Sequence, residues 1–148
     1  MDNYLAAEAL IIARLKENVE ALKTVSDWSD YTTLDEASFT SPAAYVLFLG
    51  YRPVQEHSDG AVQQTEQLWG VVVAVRNARQ ARSKSGVRED AGPLMASVMA
   101  VLQGWKPSNE HSALKLTTLD SARPSYGATV GFFPMTFATR VVIKSIDE

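Results

Sequence analysis

Apolar residues recur at helical spacing near the start of the chain. Leu5, Ile12 and Val19 lie seven apart, as do Leu15 and Leu22, with Glu8, Arg14, Lys16, Glu17, Glu20 and Lys23 at the polar positions. This predicts an amphipathic helix over residues 2–23 with Asp2 as its N-cap. Residues 26–42 (SDWSDYTTLDEASFTSP) read as a polar connection with room for no more than a short strand. The period then changes. AAYVLFLGYR, residues 43–52, is aromatic and β-branched and lies between Pro42 and Pro53, which predicts a strand. LWGVVVAVR, residues 68–76, predicts a second. The two should pair as a hairpin across a long polar tip with its turn at Ser58-Asp59-Gly60.

A second helix is expected after residues 77–88. Asp90 or Gly92 can cap it, Pro93 suits a first turn, and Leu94, Val98 and Val101 form its stripe. Gly104 fits a C′ position, with Pro107 preventing continuation. Residues 113–119 suggest a short strand and 128–144 a long one. In the latter, Phe133, Met135, Phe137, Thr139, Val141 and Ile143 point one way, and Thr136, Ala138, Arg140, Val142 and Lys144 the other. Pro134 demands a bulge or an edge position. The expected fold is α+β in the order αββαββ, a mainly antiparallel four-stranded sheet with two helices on one face. A chain of 148 residues suits a single domain, 1–148.

Both faces of the central hairpin are apolar in this reading, whereas a sheet with one wet face should alternate apolar and polar residues. Two helices cover about one face. The other, assigned Val46, Phe48 and Val72, must meet either the 26–42 and 53–65 connections or another subunit. A subunit interface is the expectation.

Composition adds limits. Hydrophobic residues make up 46% and charged residues 21%, which suits a globular chain. No apolar run approaches the ~18 residues needed to span a bilayer, and the first residues lack the basic start of a secretory signal. The absence of cysteine excludes disulfides and thiolate chemistry, and synthesis in a reducing cytoplasm is expected. The net charge of −3 is unevenly spread: residues 76–88 hold Arg76, Arg79, Arg82, Lys84 and Arg88 and one acid pair only begins at Glu89. A nucleic-acid arm is one reading of that segment, but the remaining nine bases against 17 acids would repel a duplex. Docking on an acidic neighbour, or simple solvation, are the others. Arg76, directly ending a strand, invites a buried ion pair.

Catalytic signals fail on spacing. His57 and His111 sit in no metal-ligand pattern, and adjacent His57-Ser58-Asp59 cannot converge as a hydrolytic triad. No phosphate-cradling glycine loop occurs. Asp35-Glu36 and Glu89-Asp90 fit loop solvation and a helix N-terminus. The aromatics Trp69, Trp105, Phe132, Phe133 and Phe137 fit core or cap positions better than base stacking, and Met95 and Met99 fit a core stripe. Neither an enzyme nor a cofactor is expected.

The order of motifs resembles a known family. SPAAYVLFLGYRPV follows the amphipathic helix, then QLWGVVVAVRN, then AGPLMASVMAVLQGWKPS, then PSYGATVGFFPMTFATRVVI with Phe133-Pro134-Met135-Thr136-Phe137. Together these are similar to the tail terminator (tail completion) proteins of long-tailed bacteriophages and prophages, over nearly the whole chain. The resemblance implies six copies in a ring on the head-proximal end of the tail tube. Such a ring stops tube growth, offers a surface to neck proteins and, in contractile-tailed relatives, meets the last sheath ring. It implies DNA only as cargo through the channel, no membrane, and a virion location. Another neck or head-completion connector, or a small nucleic-acid-binding protein using residues 76–88, are the rival readings.

Overall fold

In the computed structural model, the described residues are 1–27, 39–56, 60–77, 85–118, 123–127 and 129–146. They form α1 (Ala7–Asn18), β1 (Thr24–Asp27), β2 (Ala43–Glu56), β3 (Val62–Arg76), α2 (Ser85–Leu102), β4 (Lys115–Thr117), β5 (Ser125–Tyr126) and β6 (Val130–Lys144). The fold is α+β, but the sheet has six strands and is mixed, not four-stranded and antiparallel. Strand order is β1-β2-β3-β6-β4, with β5 also on β6, and β1 runs parallel to β2. Among the described residues, β1 carries the only departure from antiparallel pairing. Its sequence, TVSD, has one apolar residue to announce it.

The strong strands are longer than their apolar cores. β2 reaches Glu56 and β3 begins at Val62, so most of the expected polar tip is strand. Of the expected turn, residues 58 and 59 lie outside the described residues, while Gly60 has φ +74°. β3 and β6 pair without a break from Val62↔Lys144 to Arg76↔Val130. Pro134 sits opposite Val72 without a bulge, between the stretches of β6 that pair with β5 and with β4. Its missing N–H therefore costs no ladder bond there.

Both helices pack on one face. α1 buries Ala7, Ile11 and Leu15, and the chain continues that stripe through Val19 and Leu22. It is shorter than the expected 2–23: Ala6, not Asp2, is its N-cap and makes no side-chain cap bond, while the Leu5 N–H donates to Asn3 Oδ1 at 3.0 Å in the turn before it. α2 begins at Ser85, ahead of both expected caps, Asp90 and Gly92, and Pro93 lies inside it. The reason is burial. Val87 and Ala91 extend the buried stripe of Leu94, Val98 and Leu102 backwards at helical spacing, whereas Pro93 is on the exposed side. Gly104, at φ +81°, ends the helix as expected, and its N–H donates to Leu114 O at 2.8 Å.

The helices and sheet share one core of Val25, Ala44, Val46, Trp69, Val71, Val73, Val75, Phe133, Met135 and Phe137, with the helix stripes above. A partly buried polar chain ties the turn before α1 to it. Trp69 Nε1 donates to Gln67 Oε1 at 3.0 Å, Gln67 Nε2 donates to Tyr4 O at 2.6 Å, and Tyr4 Oη meets Thr65 Oγ1 at 2.6 Å. Arg14 joins the two helices. Its Nε donates to Val101 O at 3.2 Å and its guanidinium lies 5.2 Å from the centre of the Trp105 ring.

Candidate docking surface

Register decides which side chains share the face away from the helices. Val46 stands opposite Val71, and Tyr45 opposite Val72. Directly opposed residues point the same way, so Val46 and Phe48 belong to the helix-covered face and only Val72 to the other. The grouping of Val46, Phe48 and Val72 on one face is thereby corrected: Val46 is 0% exposed inside the core, with Phe48 packed against it. Val72 is also well covered, at 8%.

A bulge in β2 shapes the helix-free face further. The register shifts between Phe48 and Gly50, where φ is +117°. An extra residue in one strand reverses the alternation beyond it. Leu47 and Leu49 thus both lie over Gly70, where an added Cβ would come within 2.9 Å of Leu47 Cδ2 and 3.2 Å of Leu49 Cδ1. Tyr51 turns to the helix side and meets Tyr4 edge-on, ring centres 5.7 Å apart.

At one end of this face Arg76 acts as a clamp. Its backbone N–H donates to Ser41 Oγ at 2.9 Å, Nη1 donates to Phe39 O at 3.0 Å, and the guanidinium lies 4.4 Å from the Phe39 ring centre. Phe39 is held over Ala43, Tyr45 and Ala74 in a small second core. The contacts described for Arg76 thus include a carbonyl and a cation–π contact. Arg79, Arg82 and Lys84 lie outside the described residues. Arg88 is in the first turn of α2, 5.8 Å from the Tyr126 ring centre, and so is not part of one loop with Arg76.

At the other end a row of three charges crosses the sheet: Arg52 on β2, Glu66 on β3 and Arg140 on β6, each directly opposite the next. Arg52 Nε donates to Glu66 Oε1 at 2.8 Å, its Nη2 contacts the same oxygen, and Arg140 Nε lies 3.5 Å from Glu66 Oε2. The Glu66 side chain is 11% exposed, against 61% for Arg52 and 49% for Arg140. A nearly buried carboxylate therefore pins two outward-facing guanidiniums. Beside them Glu66, Ser112, Ala113, Lys115, Ala138 and Arg140 line a pocket of about 310 Å³. Ser112 fixes its wall as a substitute strand partner: its N–H donates to Arg140 O at 2.9 Å, and its Oγ accepts from the Arg140 N–H at 2.8 Å. The sequence reading missed this row.

His57 is outside the described residues, and His111 is buried with Nδ1 bonded to Ser108 Oγ at 2.6 Å. Burial holds its pKa below the ordinary value, with Glu110 opposing the shift. Among the described residues no group of three or more potential ligands could hold a metal ion, and no helix is long and apolar enough to cross a membrane.

A sheet face that carries charged and half-buried apolar side chains suits docking. A family model for the phage tail terminator protein matches residues 1–147. The chain belongs to that family. The phage tail terminator family is structural, which makes this chain a phage tail protein. No individual curated protein matches it.

Proposed function

We propose that the protein caps the head-proximal end of the tail tube as a homo-oligomeric ring of six copies, ends tube polymerisation and presents a surface for joining the head. The observation that carries this reading is the terminator family match over residues 1–147. The helix-free sheet face supports it, since Leu47, Leu49 and Leu68 are only partly covered there and the charge row lies beside them. Partners on this reading are sister copies, the tube protein, neck proteins and, in a contractile tail, the sheath. DNA passes only through the channel. The cations Arg76, Arg79, Arg82, Lys84 and Arg88 contribute to docking by orienting approach, because charge at a rim governs encounter more than affinity.

Deleting the gene from the parent phage tests the role. Overlong tails without heads are expected. Tails of normal length beside empty or leaking heads would instead assign the protein to a connector.

A further inference from the structure

We infer that the open edge of β4 receives, as an added strand, the segment that follows β6 in a second copy of this chain, with Ile146 seated in a methionine-lined notch. The inference rests on the ring proposed above and names one contact within it.

Among the described residues β4 ends the sheet and pairs with β6 alone. In an antiparallel pair, alternate residues turn both backbone groups towards the partner strand or away from it. The Leu116 N–H donates to Gln103 Oε1 at 2.8 Å, so Leu116 is a residue that faces away. On the same edge Leu114 is already taken, bonded through its N–H to Trp105 O and through its carbonyl to the Gly104 N–H. The open stretch therefore starts at Leu116, where a side-chain oxygen stands in for the carbonyl of a further strand.

A strand added there meets different chemistry on its two faces. On one, Met95, Met99, Leu116, Pro134 and Met135 line a notch of about 190 Å³. Three of the chain's four methionines meet in it, and their unbranched side chains adapt to an apolar guest. Leu116 is 46% exposed at its mouth. On the other face, Lys115 and Arg140 line the pocket beside Glu66, and among the described residues Lys115 makes no ion pair. Successive side chains of a strand point to opposite faces. The edge thus fits an apolar residue followed by an acidic one.

Ile146-Asp147 has that order. Ile146 is 89% exposed, more than any other large apolar side chain described. It does not reach the notch of its own chain. The preceding Ser145 N–H is tied to Ala61 O at 2.7 Å, and the strand from Pro134 to Lys144 holds the two places roughly 30 Å apart. Ile146 of a second copy meets no such limit. Its acidic neighbour then faces Lys115 and Arg140, and the Leu116 N–H exchanges Gln103 for a backbone carbonyl. The donor segment and the receiving edge are different surfaces, so the contact is head-to-tail and can repeat around a ring.

The chain has no cysteine, so thiols can be placed in the full-length protein without background. Leu116→Cys and Ile146→Cys proteins are mixed, oxidised in solution and on assembled tails, and separated by mass without reductant. Thr118→Cys, exposed just beyond β4, serves as a second receiving position. Disulfides between the two variants are expected, and protein carrying both substitutions should give a ladder of linked copies. Ile146→Asp should melt as the parent does yet associate about tenfold more weakly, the loss expected for one buried isoleucine side chain. Ile146→Leu should associate as the parent does. Unlinked monomers in both settings, receiving thiols that link to the tube or a neck protein instead, or undiminished association of Ile146→Asp would overturn the inference. If any of these occurs while deletion of the gene still gives overlong tails, this contact is wrong and the capping role stands.

Discussion

Gly131 shows how little room the core leaves. It lies on the helix side of β6, where a Cβ would overlap Val87 Cγ1 and come within 2.7 Å of Phe133 Cε2. Val87, in the first turn of α2, is itself fully buried and has little room to retreat. Gly131→Ala should therefore destabilise the fold by about 1–3 kcal/mol, read as a lower urea midpoint with an unchanged slope. His111 supplies a second test. Its folded pKa lies below the ordinary 6.5 because burial disfavours the imidazolium, so below that pH the unfolded chain binds the proton more readily. Stability should fall as pH drops from about 6.5 towards the folded pKa and then level off. His111→Gln should flatten that slope in urea titrations at successive pH values. At this scale the sequence was partly legible. Alternation within β6 sorted Phe133, Met135 and Phe137 from Thr136, Ala138 and Arg140 correctly, because a period of two needs no partner. It could not align β2 with β3, so Val46 was placed with Val72. The Arg52–Glu66 pair left a trace that was overlooked: the two residues are equidistant from Asp59, the middle of the expected turn.

Among the elements, β6 has the most to hold. It lies between β3 and β4, also pairs with β5, and buries Met135, Phe137 and Val141. Each is worth ~1.5–3 kcal/mol when buried, comparable in sum to the whole stability of a domain. Removing residues 135–148 should leave a chain that is insoluble or melts without cooperativity; a soluble, sharply melting fragment would refute the sheet topology. Ile143 adds less than its pattern suggested, being partly exposed near the strand's end. The elements that sequence revealed best were those with dense apolar content, β2, β3, the later part of α2 and β6. The early turns of α2 were hidden because Pro93 and Gly92 imitate a start. The polar outer half of the hairpin was hidden because Gln67 and Thr65 are held by strand pairing and by Tyr4 in the turn before α1, not by hydrophobicity. Gln67 is the clearest case, fully buried yet bonded to Trp69 and Tyr4.

For the molecule as a whole, the argument from burial fails: Val46 and Val72 are buried and Phe48 is packed against the core within the single chain, so the proposed ring rests on the family match. The chain covers part of its second sheet face itself, through Phe39 under the Arg76 clamp and through Leu47 and Leu49 over Gly70. What that face presents is charge as well as apolar surface, with the Arg52–Glu66–Arg140 row beside the partly covered Leu47, Leu49 and Leu68. The terminator role asks for ordered, repeating contact: a finite ring that seats on a tube end and offers the tube no further place to grow. The most direct measurement polymerises the tube protein of the same phage with and without this protein, and follows tube length by electron microscopy after fresh subunits are added. The account predicts tubes that stop lengthening once an end is capped. Tubes that keep growing at the rate of the untreated sample would contradict it.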